Sequence, residues 1–352
     1  MIMHKLTRRS FLVTGGAALA LTAAQLNRPR RAAAQTGEIN LYSSRHYNTD
    51  DALYEGFTEQ SGIRVNLIEG SADELLERIL NEGENSPADV FMTVDAGRLW
   101  RATEAGIFAP VSSSVLTERI PANLRHPDGL WFGYSKRARV IMYNRERVNP
   151  AELSTYEALT DSKWNGRILV RSSGNIYNQS LVAGMIETNG MEATEAWAEG
   201  MVNNFARDPE GNDTAQIKAV AAGLGDVAIA NSYYLARLGN SDDPQNQAIF
   251  EKVGVFFPNQ SGRGTHVNIS GAGALNTAPN LEGAIAFLEY LSTPTAQEFF
   301  AKGNNEYPVV AGTEVDPVLK NFGDFKEDEV NVEAYGSNAD EAVQLMDRAG
   351  WE

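Results

Sequence analysis

Tyrosines occur in three separate parts of the chain, each time a few residues after a segment predicted to form a β-strand. They are Tyr47, Tyr177 and the adjacent pair Tyr233 and Tyr234, and the strands before them are predicted at 38–42, 167–171 and 226–230. A single tyrosine commonly packs at the rim of a core, because its ring is apolar and its hydroxyl group is polar. Two adjacent tyrosines cannot both face one core, so the pair favours a binding role. Because the loops that follow the strands of an open α/β sheet meet at one edge, we expect the four phenols to converge there.

Four phenol oxygens in one place suit a small, highly charged cation. Hard trivalent ions prefer anionic oxygen ligands, and phenolate is a stronger base than carboxylate, so Fe³⁺ gains most from such a site. A free tyrosine has a pKa of about 10, but a bound cation displaces ligand protons, so binding is expected to release protons and to weaken in acid. Arg45, Arg171 and Arg237 lie within a few residues of the tyrosines and are candidates to donate hydrogen bonds to the phenolate oxygens.

The sequence lacks the residues and motifs of most other active sites. It has no cysteine, which excludes disulfides, thiolate metal sites and thiol nucleophiles. No phosphate-binding loop, G-x-S-x-G nucleophile elbow or H-E-x-x-H zinc helix is present. The four histidines are His4, His46, His126 and His266. With 46 acidic and 30 basic residues, the net charge is −16, which argues against binding to nucleic acid. We therefore predict that the protein is not an enzyme.

The first part of the chain after residue 36 predicts an open parallel sheet covered by helices. Strands predicted at 38–42, 64–68 and 88–94 alternate with helices, and Ser71 with Glu74 forms a capping box at the start of one helix. A β-α-β-α-β order of this kind predicts an α/β fold with right-handed crossovers.

A second set of elements follows 130–144, a long aromatic and β-branched segment that predicts a strand running between two lobes. A second crossing is predicted at 253–257 plus 267–274, where Gly271 and Gly273 allow close backbone packing. Further helices are predicted at 155–159, from 178, and at 191–205, 215–222, 284–291, 294–302 and 341–349. Asn231 or Ser232 is the predicted cap of the helix that carries the tyrosine pair. Two crossings between two α/β lobes predict a hinge.

The first 34 residues differ in composition from the rest. They contain six basic residues and no acidic one, with an apolar, alanine-rich run at 11–26 and three alanines at 32–34. This arrangement is typical of a cleavable export signal, and TRRSFL at 7–12 resembles the twin-arginine signal, which is read by a receptor that exports folded proteins. The alternative is an uncleaved membrane anchor, although the run is short and weakly apolar for a bilayer span. We predict a periplasmic protein and leave a membrane-associated or cytoplasmic pool open.

Seven stretches of the chain carry a resemblance to a known family. They are LYSSRHY (41–47), GSADELL (70–76), ADVFMTVD (88–95), WFGYSKRARVIMYN (131–144), RSSGNIYNQSL (171–181), NSYYLARL (231–238) and GTHVNISGAGA (264–274). In this order they resemble the periplasmic ferric-iron-binding proteins of ABC importers, the FbpA type and in particular the cyanobacterial FutA/IdiA proteins. The resemblance implies a class II two-lobed binding fold that closes on Fe(III) and delivers it to an ABC transporter permease in the inner membrane. We also expect a monomer.

The resemblance also implies which residues hold the metal. The positions that match the family's iron-binding tyrosines are Tyr47, Tyr177, Tyr233 and Tyr234. His46 stands where several members supply a fifth, imidazole ligand, whereas His126 and His266 match no ligand and are expected at the surface or between the lobes.

The expected organisation is an export signal at 1–34, a first lobe at 35–138 plus 268–318, a second lobe at 139–267, and a C-terminal helical tail at 319–352 that packs on both. His46 and Tyr47 would then come from the first lobe and the other tyrosines from the second, so that bound metal would favour the closed form.

Two other functions remain open at this point. One is a binder of an organic or oxyanionic solute, such as a polyamine, thiamine or a phosphate ester, on the same fold, since a fold does not fix a function. A polyamine site would need carboxylates in the loops, and an anion site would need free helix N-termini with Ser, Thr or Arg. The other is a secreted hydrolase, which the missing motifs disfavour.

Overall fold

The computed structural model describes residues 37–45 and 50–352. The predicted export signal at 1–34 and the predicted ligands His46 and Tyr47 lie outside the described residues. Nine strands form the sheet: β1 (Gly37–Ser43), β2 (Ile63–Glu69), β3 (Val90–Val94), β4 (Phe132–Asn144), β5 (Ile168–Leu169), β6 (Val227–Asn231), β7 (Val253–Phe256), β8 (Val267–Ala274) and β9 (Tyr307–Pro308).

The α-helices of the described part alternate with these strands. They are α1 (Asp50–Ser61), α2 (Ala72–Glu82), α3 (Ala96–Glu104), α4 (Ser114–Arg119), α5 (Ile176–Asn189), α6 (Met191–Asn203), α7 (Asp213–Ala222), α8 (Ser232–Gly239), α9 (Pro244–Lys252), α10 (Leu281–Leu291), α11 (Pro294–Glu298), α12 (Pro317–Asn321), α13 (Ala334–Ser337) and α14 (Ala339–Ala349). Among these described helices, none is long and apolar enough to cross a bilayer.

The sheet is mixed, with parallel strands towards both ends and antiparallel strands in the middle. Its order is β2-β1-β3-β8-β4-β6-β5, and β7 and β9 also pair with β4. Strand β1 pairs in parallel with β2 and β3, and β5 pairs in parallel with β6. Strands β8 and β4 run antiparallel to their neighbours. The predicted α/β fold with parallel β-α-β units is confirmed.

Strand β4 belongs to both halves of the sheet. Its first part, 132–138, pairs with β8, and its second part, 139–144, pairs with β6 and β7. The prediction of a shared strand at 130–144 is therefore confirmed. The second crossing differs in detail, because β7 pairs only with the second part of β4 and β8 only with the first part and with β3. The chain passes between the halves in the segment that separates β7 from β8.

Three buried apolar clusters hold the elements together. The first lies around β1, β3 and α10 and contains Phe91 and Phe287, which contribute about 1.5–3 kcal/mol each through burial. The second packs α5, α6 and α14 around Trp164, and the third lies between the second part of β4 and helices α7 and α8. The C-terminal residues enter all three clusters, through Tyr335, Leu345 and other side chains.

Local signals predicted the capping box of α2 correctly, whereas three other elements differ from the prediction in length or helix type. Ser71 and Glu74 form the predicted capping box at the start of α2, with both hydrogen bonds present. The predicted strand at 167–171 is shorter, because the Arg171 carbonyl accepts hydrogen bonds from Asn178 (2.8 Å) and Trp351 (2.9 Å) and leaves the ladder. The helix predicted at 155–159 is a 3₁₀ turn at Glu157–Thr160. The helix predicted at 294–302 is α11 followed by a π turn at Phe299–Gly303.

The close packing predicted at Gly273 yields a stability test. A Cβ atom at this position would overlap the Leu130 carbonyl oxygen and lie 2.6 Å from Phe108 Cδ1. We expect Gly273→Ala to lower the free energy of unfolding by about 1–3 kcal/mol, because overpacking forces backbone shifts. The control is Gly262→Ala, where the nearest atom is 3.7 Å away. Urea denaturation measures both, and equal stability of the two variants would contradict the packing argument.

Candidate metal centre

Tyr177 lies in the first turn of α5. The helix begins after Asn175, whose side chain accepts a hydrogen bond from the Tyr177 backbone N–H at 3.2 Å. This cap fixes the backbone at the position from which the half-buried phenol projects.

Tyr233 and Tyr234 lie in the first turn of α8, directly after β6. Tyr233 is buried and Tyr234 is half-buried, and their ring centroids are 4.1 Å apart. The Tyr177 hydroxyl oxygen lies 3.5 Å from that of Tyr233. The structure therefore brings together three of the four predicted tyrosines, from two separate segments of the chain.

The remaining predicted ligands, His46 and Tyr47, lie outside the described residues, and the nearest described residues, Arg45 and Asp50, form an ion pair. Arg45 Nε lies 2.8 Å from Asp50 Oδ2, and both residues are buried. Arg45 also pairs with Glu306, with 3.3 Å between Nη1 and Oε2. A buried ion pair thus joins Arg45 to Asp50.

Three arginines surround the Tyr177 ring. The guanidinium carbons of Arg137 and Arg139 each lie 5.8 Å from the ring centroid, and that of Arg171 lies 5.4 Å from it. Arg237 lies over the Tyr233 ring at 4.8 Å. Positive charge at these distances lowers the cost of a phenolate.

Arg137 and Arg139 were missed by the sequence analysis, which singled out Arg171 and Arg237 here. Both are nearly fully buried on β4. A signal was present in the sequence, because residues two apart on a strand face the same side, so Arg137 and Arg139 place two charges on one face of a predicted strand.

Buried carboxylates balance these arginines. Asp213 is fully buried and pairs with Arg139 at 3.0 Å and with Arg171 at 3.3 Å. Glu306 is also fully buried, lies 3.7 Å from Arg137 and accepts a hydrogen bond from Ser135 at 2.7 Å. Buried ion pairs therefore hold Arg137, Arg139 and Arg171 in place.

Asp95 connects the end of β3 to helix α5. Its φ of 81° is rare for a residue with a side chain, and its carboxylate accepts hydrogen bonds from Ser180 at 2.6 Å and from Asn268 at 3.0 Å. Ser180 lies one turn after Tyr177 on α5. The contact therefore joins the first part of the sheet to the helix that presents a predicted ligand.

Burial and neighbouring charge shift the ionisation of this site. Burial raises the pKa of Tyr234, and the nearby Tyr177 and Asp213 raise it further. For Arg137, burial acts to lower the pKa, but Tyr177, Glu306 and Tyr233 together outweigh it, so its pKa is raised overall. Without a cation Tyr234 thus stays a neutral phenol and Arg137 stays charged.

The donor set of this site is phenolic. Among residues 37–45 and 50–352, no three His, Asp or Glu side chains are grouped as a metal site would require. A cation held here would depend on tyrosine oxygens, with arginines to offset excess negative charge.

His126 and His266 are both buried, so the surface position that the sequence left open for them is wrong. His126 packs edge-on against Trp131 and lies 3.4 Å from Glu333. His266 stacks on Tyr335 with 4.5 Å between the ring centroids. Burial lowers the pKa of His266 well below its usual value, and Arg139, Arg263 and Arg137 add to this effect.

An α/β fold of two lobes that share a strand, with a polar site beyond the ends of β5 and β6, defines a solute-binding protein. The chain belongs to the family described as bacterial extracellular solute-binding protein, whose sequence profile matches residues 85–326.

Individual relatives extend this assignment over nearly the whole chain. It is 60% identical over 350 residues to iron uptake protein A2 of Synechocystis sp., covering 99% of both chains. It is 30% identical over 342 residues to the Fe(3+)-binding periplasmic protein of Serratia marcescens, covering 96% of this chain and 97% of that one. A solved Trichodesmium protein (IdiA, FutA), in complex with iron and citrate, is 66% identical, with a TM-score of 0.88, and the match covers 90% of this chain and 100% of that one.

The buried His266 makes the stability of the metal-free protein depend on pH. Its folded-state pKa is lowered, so the unfolded chain takes up a proton below its usual pKa of about 6.5, while the folded chain does not. Stability is therefore lost as pH falls from about 6.5 towards the folded pKa, by up to about 1.4 kcal/mol per pH unit. Urea titrations between pH 7 and pH 5 should show a smaller loss for His266→Gln than for the unmodified protein. Equal losses would contradict this account.

Proposed function

We propose that the protein captures ferric iron outside the cytoplasmic membrane and delivers it to the permease of an ABC importer. The observation that carries the proposal is the meeting of Tyr177, Tyr233 and Tyr234 inside a buried arginine cluster. The relatives support it, since one is named an iron uptake protein, another an Fe(3+)-binding periplasmic protein, and a third was solved with iron and citrate. These names favour ferric iron over a polyamine, thiamine or a phosphate ester. The same relatives are transport proteins, and we infer that this chain is likewise not an enzyme.

We propose that Tyr47, Tyr177, Tyr233 and Tyr234 bind Fe(III) as phenolates and that His46 supplies a fifth ligand. Because burial keeps Tyr234 protonated until a cation arrives, binding must expel phenol protons. Acid then competes for several ligands at once, which makes iron release steep in pH. Arg137, Arg139 and Arg171 offset the negative charge that the phenolates carry beyond that of the ion.

We propose a first lobe at 35–138 plus 268–318, a second lobe at 139–267 and a tail at 319–352 that packs on both. The change of partners along β4 at 138–139 supports the first boundary. The ligand set is then divided between the lobes, so iron stabilises the closed form. A permease can distinguish the loaded from the empty protein by this difference in shape. We expect the protein to act as a monomer.

The tyrosine ligands can be tested by removing one oxygen. We expect Tyr233→Phe to fold but to bind Fe(III) about a hundredfold or more weakly, beyond the usual effect of outer-shell changes, and to lose much of the visible tyrosinate–iron absorption. The measurements are absorption spectra and competition with a chelator. The control is Tyr134→Phe, because Tyr134 is fully buried in the first apolar cluster and its hydroxyl has no hydrogen-bond partner among the described residues. Unchanged colour and affinity in Tyr233→Phe would refute the assignment.

We propose that residues 1–34 are a twin-arginine export signal and that the protein works in the periplasm, as the extracellular family and a periplasmic relative suggest. A receptor that reads the arginine pair should reject lysine in its place. We therefore expect Arg8→Lys with Arg9→Lys to retain the precursor in the cytoplasm, measured by cell fractionation. Arg30→Lys with Arg31→Lys, in the same segment, is the control and should be exported. Normal export of the first variant would indicate the general secretion route instead.

A further inference from the structure

Arg139 lies at the point where β4 changes its pairing partner. It is the first residue of β4 that pairs with β6, opposite Asn231, and it is almost completely buried. The strand is shared by both halves of the sheet, so its backbone is held on both sides. A side chain at this point is therefore anchored more firmly than one on a loop.

The Arg139 guanidinium group contacts both segments that carry described tyrosines. Its Nη2 donates a hydrogen bond to Asn178 Oδ1 at 2.6 Å, and Asn178 directly follows Tyr177. Its Nη1 donates to Asn231 Oδ1 at 3.1 Å, and Asn231 is two residues before Tyr233. A planar guanidinium group fixes the directions of its N–H bonds, so these contacts set the separation of the two segments.

Asp213 completes the arrangement. One of its carboxylate oxygens accepts hydrogen bonds from Arg139 Nη1 at 3.0 Å and from the Asn231 backbone N–H at 2.8 Å. The other carboxylate oxygen of Asp213 accepts a hydrogen bond from Arg171 at 3.3 Å. The Asn178 side chain in turn donates to the Arg171 and Ser172 carbonyl oxygens. Both segments are thus bound to the same buried ion pair through backbone and side-chain groups.

The Asn231 side chain bonds to Arg139 and does not cap helix α8. It occupies the N-cap position of α8, where a side-chain oxygen normally accepts a hydrogen bond from the helix, but it makes no capping hydrogen bond. Its side-chain oxygen accepts a hydrogen bond from Arg139 instead. A buried arginine–aspartate pair adds little net stability, because both charges lose their hydration. Neither the pair nor the missing cap is explained by the stability of the fold.

We propose that Arg139, held by Asp213, is a positioning residue that sets the separation of the Tyr177 and Tyr233–Tyr234 segments before iron arrives. This rests on the proposed function. The guanidinium group bridges the two segments, so the phenol oxygens meet without the metal having to order them. Pre-ordered ligands bind more tightly because less conformational freedom is lost on binding.

The test uses Arg139→Lys, which keeps the charge and loses the planar fork. We expect Fe(III) affinity to fall about ten- to a hundredfold, the range for partners that orient metal ligands, and the tyrosinate absorption band to move or weaken. The control is Arg263→Lys, which changes a mostly buried arginine that pairs with Glu157 and Asp328 away from the tyrosine segments. Arg263→Lys should leave the Fe(III) affinity and the tyrosinate absorption band unchanged, even if the melting temperature of the protein falls.

A second variant separates positioning from folding. Asn231→Ser removes the oxygen that Arg139 contacts but supplies a good helix cap, so the metal-free protein should melt within a few degrees of the unmodified one while iron affinity falls about tenfold. Unmodified affinity and absorption in both Arg139→Lys and Asn231→Ser would overturn the inference. If the unmodified protein itself shows no ferric tyrosinate band, the proposed function fails first, so the two failures are distinguishable.

Discussion

The structure depends on one strand serving two halves of a sheet. Strand β4 pairs with β8 along its first part and with β6 and β7 along its second, so a single extended backbone sets the position of one half relative to the other. Arg137 and Arg139 project from this strand on either side of the change of partner. The strand that both halves share therefore also carries two of the charges beside the Tyr177 ring.

Charge balance is the second organising feature. Arg137 and Arg139 are buried, and each would be costly without a compensating group, so Glu306 and Asp213 are buried beside them. Tyr234 remains neutral in this environment, because burial raises the pKa of its phenol. In the proposed metal centre, a trivalent cation would favour the phenolate form, and the nearby arginines would stabilise the negative charge of the phenolates.

Two residues near the tyrosines depart from the locally preferred backbone or capping geometry. Asp95 keeps a φ of 81° so that its carboxylate reaches Ser180 and Asn268. Asn231 leaves α8 without a side-chain cap so that its oxygen reaches Arg139. Departures from local preference cluster at functional sites, where the surrounding structure maintains them. Their position beside the predicted ligands agrees with the proposed metal centre and with the positioning role of Arg139.

The sequence alone determined the features that depend on local chemistry. The alternation of strands and helices, the capping box at Ser71 and the shared segment at 130–144 follow from periodicity and capping, and the structure confirms them. The periodic pattern of strands and helices also predicted that Tyr177, Tyr233 and Tyr234 follow strands. Only the tertiary structure decided that the hydroxyl oxygens of Tyr177 and Tyr233 lie 3.5 Å apart. It also decided that two arginines of β4 lie beside the Tyr177 ring and that His266 is buried. These facts rest on contacts between residues far apart in the chain, whose distances depend on the packing of whole elements and leave no periodic signal in the sequence.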